Sequence, residues 1–172
     1  GHINHPHKSR RGPRTPEAYA AIKADDGQVR EVWDELQRDY PGKATLFIVS
    51  DHGFSPIKRT ILPNVVLRQN GLLGKSVKDT NAPIAVVVQG GCAMIYVRDE
   101  DRRTDLLTQV RHAFEGVSGV SKIIGTEQFK DYGVAEPKND PHAPDMILFA
   151  EEGCAFGNTA AGDVPFKDKE EL

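Results

Sequence analysis

The sequence predicts an α/β fold carrying an α+β insert, and three observations lead there. An amphipathic helical stretch runs directly into a short apolar strand that ends in polar residues, the unit from which doubly wound sheets are built. Beyond residue 56 the texture changes to shorter apolar runs separated by turn residues, as in α+β arrangements. With 172 residues, 38% of them apolar, the chain has one domain's length and the means to bury a core.

The elements follow in order. Residues 1–14 mix His2, His5 and His7 with Lys8, Arg10, Arg11 and Arg14 and hold one aliphatic residue, Ile3, so they read as an irregular arm. A helix then opens with Thr15 as N-cap, Pro16 at the first helical position and Glu17 on the positive end of the dipole. Ile22, Val29, Trp33, Leu36 and Tyr40 recur at helical spacing, and Pro41-Gly42 stops the run. Thr45-Leu46-Phe47-Ile48-Val49 is apolar without alternation, the pattern of a strand covered on both faces of a parallel sheet. It delivers Ser50-Asp51-His52-Gly53 to the carboxyl end of that strand, where ligands gather in such sheets.

Within the insert, a short helix is expected over 64–69, ending at Asn70-Gly71, and strands over 84–88 and 93–97 flank Gly90-Gly91. Leu106, Leu107, Val110 and Phe114 mark another helix. A strand over 120–124, a helical turn over 127–132 and a strand over 146–150 complete it. Residues 157–172 have no apolar period and end in Lys167-Asp168-Lys169-Glu170-Glu171, so they read as a loop returning toward the core. The expected division is therefore a core portion over 1–56, an insert over 57–156 and the returning loop. No internal repeat suggests a solenoid.

Composition excludes several function classes. Twenty-five acidic against 22 basic residues, a net charge of −3, give no global positive field, which argues against dedicated nucleic-acid binding. No apolar run approaches the roughly 18 residues of a membrane span, and the first residues lack a signal peptide's apolar stretch. Cys92 and Cys154 have no CxxC spacing, so they read as small buried apolar residues rather than a disulfide framework or zinc knuckle. The basic string from Lys8 to Arg14 has no interleaved aromatic and reads as a solvated loop, with phosphate binding as its alternative. Compartment stays open.

Asp51-His52-Gly53 is the sharpest chemical feature, because a carboxylate and an imidazole are both good ligands for Zn²⁺ or Mn²⁺. Gly53 would let the backbone turn away beneath an ion. The plain alternative is an aspartate cap beside a solvent-facing histidine. A Ser50–His52–Asp51 relay is excluded, since successive side chains on a strand point to opposite faces. The histidines of the arm offer either a metal ligand or a polar tail.

Taken together, Gly12-Pro13-x-Thr15-Pro16-Glu17-Ala18-Tyr19, the helix, Thr45 to Phe54 with its Asp51-His52-Gly53, and Pro63-Asn64 resemble the nucleotide pyrophosphatase/phosphodiesterase (type I phosphodiesterase) branch of the alkaline phosphatase superfamily. Gly90-Gly91-Cys92-Ala93 and Pro144-Asp145 fit that branch's insert. The resemblance implies part of an alkaline-phosphatase-like doubly wound sheet with a cap that covers the metal cleft and shapes the substrate pocket. It implies a two-metal hydrolase of phosphodiester or nucleotide pyrophosphate bonds, with zinc expected and Mn or Mg as alternatives, acting on small phosphate esters or nucleotides. Asp51 and His52 match the family's Asp-His metal pair. His5 aligns with the histidine of an Asp-x-x-x-His motif serving the second metal, and His7 is the alternative; with His5 in register, the aspartate's place falls on Gly1.

The family's nucleophilic Thr or Ser lies upstream of that motif, and its last histidine ligand, in a His-Gly pair, follows the insert. Neither matches a residue here, and His142 does not fit. The expectation is a fragment, inactive alone, whose nucleophile would lie upstream of Gly1 together with any targeting segment. Alternatives are a phosphonoacetate hydrolase, phosphoglycerate mutase or sulfatase of the same superfamily, or a non-catalytic α+β binding or structural module.

Overall fold

A computed structural model of the chain describes residues 14–53, 55–73 and 82–168. The fold is mixed α/β with two sheets, and the chain divides into two compact units, Gly1–Pro56 and Ile57–Leu172.

The first unit holds helix α1, Pro16–Asp39. It starts as the sequence predicts: Thr15 is extended, its Oγ1 accepts from the Ala18 N–H at 3.2 Å, and Pro16 follows at the first position, where its missing N–H costs nothing. It ends where Tyr40 N–H returns to Leu36 O, with Gly42 at φ +68 turning the chain away. Exposed pairs such as Arg38–Glu35 add little to its stability. Of its 24 residues only Ala18 is buried, so the apolar stripe that defines the helix remains accessible, Trp33 at 40%.

The strand expected over 45–49 does not form: these residues make no ladder pair among the described residues. Phe47 is 82% and Val49 87% exposed. A strand of a parallel sheet exists only through neighbours that share its hydrogen bonds, and the first unit supplies none in the described residues. Alternation still leaves a trace, because Leu46 and Ile48 line a shallow pocket of about 320 Å³ with Val29 and Trp33.

The second unit matches the expected α+β texture. Strands β2 (Ile84–Gln89) and β3 (Cys92–Val97) form an antiparallel hairpin closed at Gly90-Gly91, with Gly90 at φ +56 as such a tight turn demands. Strand β4 (Val120–Gly125), bulged between Val120 and Lys122, and β5 (Met146–Ala150) complete an antiparallel sheet of order β2-β3-β5-β4.

Alternation decides the two faces. Ala93, Ile95, Val97, Met146 and Leu148 point to the main core, where they meet Leu106, Val110 and Phe114 of helix α3 (Arg103–Phe114) and Val66 and Leu67 of helix α2 (Pro63–Gln69). The opposite face carries Ile124 and Ile147, covered by Phe129 of a 3₁₀ helix, Thr126–Tyr132. Each element expected here, over 64–69, 84–88, 93–97, 120–124, 127–132 and 146–150, is present.

A second, three-stranded sheet was not anticipated. Strand β1 (Arg59–Ile61) pairs in parallel with β6 (Cys154–Phe156) and antiparallel with β7 (Phe166–Asp168). The returning loop therefore contains a strand. Each of these strands is three residues long, too short to show a period of two. Gly119, at φ +92, permits their close approach to the larger sheet, since a Cβ there would come within 3.0 Å of Ile61 Cδ1 and 3.2 Å of Cys154 Sγ.

Candidate metal centre

Asp51 and His52 follow the apolar run of the first unit, and both are open to solvent, at 88% and 61% of their side-chain surface. Asp51 Oδ1 accepts from the His52 backbone N–H at 3.0 Å, which fixes the carboxylate over the turn. Ser50 Oγ donates to His52 O at 2.7 Å and closes the same turn from the other side. His52 Nδ1 lies 2.9 Å from Gly53 O. A carbonyl can only accept, so Nδ1 carries the proton and Nε2 bears the lone pair of the neutral ring.

That Nε2 lies 3.6 Å from Asp51 Oδ2. Two ligands at zinc distances of about 2.0–2.1 Å on a tetrahedral ion stand about 3.3 Å apart. The separation is close to that of two adjacent corners of such a shell, and His52 Nδ1 lies on a backbone carbonyl, an arrangement common in metal-binding histidines. Among the described residues, no group of three or more His, Cys, Asp or Glu comes together to complete it. His5 and His7, like His2, lie outside the described residues. Gly53 is not at positive φ and a Cβ there would meet no atom within 4 Å, so the first unit by itself does not require the glycine.

The second unit holds a different polar constellation, centred on a buried carboxylate. Asp145, 5% exposed, accepts from the Val97 N–H at 2.7 Å through Oδ2 and from Arg103 through Oδ1, and Arg103 also bonds Glu100. Glu100 is held below the usual carboxylate range by that hydrogen bond. These residues line a cleft of about 470 Å³ with Glu136 and Lys138, themselves paired at 2.8 Å. Every charge here has an opposite partner, so the network bolts α3 to the ends of β3 and β5. Pro144-Asp145 ahead of an apolar run was its one visible trace. His142 is exposed and donates its backbone N–H to Asp140 at 2.8 Å, outside any cluster of ligands.

Against known proteins, no curated protein matches the chain. The sequence profile of a family described as type I phosphodiesterase / nucleotide pyrophosphatase matches residues 1–171, nearly the whole chain. That family consists of hydrolases of phosphoester bonds. With the profile spanning both units, the chain belongs to the type I phosphodiesterase / nucleotide pyrophosphatase family.

Proposed function

We propose that this chain contributes an Asp-His metal half-site to a metal-dependent hydrolase of phosphodiester or nucleotide pyrophosphate bonds. The observation that carries the reading is the 3.6 Å separation of Asp51 Oδ2 and His52 Nε2, with the ring oriented through Nδ1. Asp51 and His52 would hold one ion, zinc before Mn or Mg, and His5, or His7 in its place, would serve a second. A bound pair of such ions supplies positive charge to the phosphoryl oxygens and to the attacking oxygen.

The chain's own residues prepare that site. Asp51 is a carboxylate whose Oδ1 already accepts from the His52 N–H, which orients the side chain before an ion binds. His52 presents a lone pair without a tautomer change. The exposed apolar residues of the first unit, Phe47 and Val49 above all, support the further reading that 45–49 becomes a strand only beside others of the parent protein. No residue is offered here as nucleophile, and the chain alone is expected to be inactive.

The test is metal content by elemental analysis with hydrolysis of bis(p-nitrophenyl) phosphate, on this chain and on a version extended at both ends to the natural parent. The expected result is about two zinc ions and diester cleavage in the extended protein, both diminished in Asp51→Ala and His52→Ala. An extended protein that binds no metal and cleaves nothing overturns the reading in favour of a binding module with Asp51 as a turn cap.

A further inference from the structure

The stretch that follows β6 is held to β1 and α2 by polar contacts. None of residues 157–168 is buried, yet they lie against β1 and α2 through a continuous series of polar contacts. Gly157 N–H donates to Ile61 O at 2.8 Å and Leu62 N–H to Pro165 O at 2.7 Å. Three side chains of α2 take backbone carbonyls of the stretch: Asn64 Nδ2 bonds Asn158 O at 3.0 Å, Arg68 bonds Gly162 O, and Gln69 Nε2 bonds Asp163 O at 2.6 Å.

Arg59 closes the far end. Its guanidinium reaches Asp168 at 2.5 and 3.0 Å, bonds Ser118 Oγ at 2.6 Å and lies 4.4 Å over the Phe166 ring. On the other side of β1, by contrast, Ile61 and Phe156 join the main apolar core. Both edges of β1 carry backbone pairing, with buried Ile61 and Phe156 adding to the β6 side and the Arg59–Asp168 pair to the β7 side.

We propose that residues 157–168 form a strap latched by Arg59 and Arg68, which lifts from β1 and α2 as one unit while the rest of the insert stays folded. A segment that buries no apolar side chain is opened at the low end of a protein's stability range. Its release removes the ion pairs and leaves the main core unchanged. Opening uncovers the hydrogen-bonding edge of β1 that β7 covers.

The test is hydrogen exchange on the full chain, comparing the Leu62 amide, which donates to the strap, with the Asp145 amide, which donates to Ile95 O within the larger sheet. Raising salt from about 0.05 to 1 M should speed Leu62 exchange by about fivefold or more and leave Asp145 unchanged, because salt screens exposed pairs and not burial. Arg59→Met, which keeps a chain over Phe166 but loses the fork, should speed Leu62 by about tenfold at low salt and remove much of the salt effect, with Arg59→Lys between the two. Parallel acceleration of Leu62 and Asp145, or a Leu62 rate indifferent to salt, overturns the strap. The salt series on the unaltered chain decides the matter even if Arg59→Met does not fold.

Discussion

Asp145 shows what one buried charge must do to be tolerated. Taking a carboxylate out of water costs several kcal/mol unless its lone pairs are filled, and here both oxygens are: one by the Val97 N–H, the other by Arg103. Asp145→Ala leaves the Val97 N–H without its acceptor in a buried place and Arg103 with Glu100 alone. The expected loss is about 2–4 kcal/mol, read as a lowered urea midpoint at unchanged slope. Asp145→Asn retains an acceptor for Val97 but not the charge for Arg103, and should lose about half as much. Equal losses in the two variants would mean that the ion pair, not the backbone bond, carries the site. Asp51 lies at the other extreme: its side chain is 88% exposed, and replacing it should leave stability nearly unchanged, which is what allows its loss to be read as an effect on metal.

Among elements, β7 carries an exposed ion pair, Arg59–Asp168, beside its backbone ladder. Arg59 holds the Asp168 carboxyl below its ordinary range chiefly through their hydrogen bond; burial opposes this, and the charge of the guanidinium adds a lesser lowering. A carboxyl lowered in the folded state stabilises it fully above the ordinary value near 4 and loses that contribution as pH falls through the lowered one. The other charged groups acting on Arg59 are Cys154 and Glu151, both weaker. Leu62 exchange, corrected for its intrinsic pH dependence, should therefore be flat from pH 7 down to about 5 and rise below about 4, and Arg59→Met should abolish the rise.

The same element shows why part of the fold escaped the sequence. Five apolar residues such as 84–88, followed closely by Gly90-Gly91, declare a strand; Phe166-Lys167-Asp168 does so only through distant partners, as in Thr60 opposite Lys167, 107 residues away in sequence. The helices were legible for a local reason, since Thr15-Pro16-Glu17 caps α1 whatever surrounds it. Residues 45–49 failed for the converse reason: their composition is that of a strand, but a strand is a relation between segments. At the candidate site, Asp51-His52 was readable as donor chemistry, whereas the Nδ1 bond to Gly53 that orients the ring was not.

On the scale of the whole molecule, apolar burial is unevenly shared. Nearly every buried apolar side chain belongs to Ile57–Leu172, and in Gly1–Pro56 Ala18 is the one buried among the described residues. Because cooperative unfolding follows buried apolar surface, the two units should not unfold together. Trp33, the chain's single tryptophan, sits on α1 and gives a probe confined to the first unit. A helix of 24 residues without a covering layer is marginal in water, so its loss should be gradual. In urea, Trp33 emission should drift without a sharp midpoint, while far-ultraviolet dichroism shows a cooperative step from the second unit. A chain restricted to residues 57–172 should keep that step at the same midpoint. Coincident tryptophan and dichroism transitions, with a lowered midpoint in the shorter chain, would mean that the units stabilise each other. If residues 45–49 gain strand neighbours in a longer protein, as proposed, Trp33 emission there should shift to the blue and join the cooperative step.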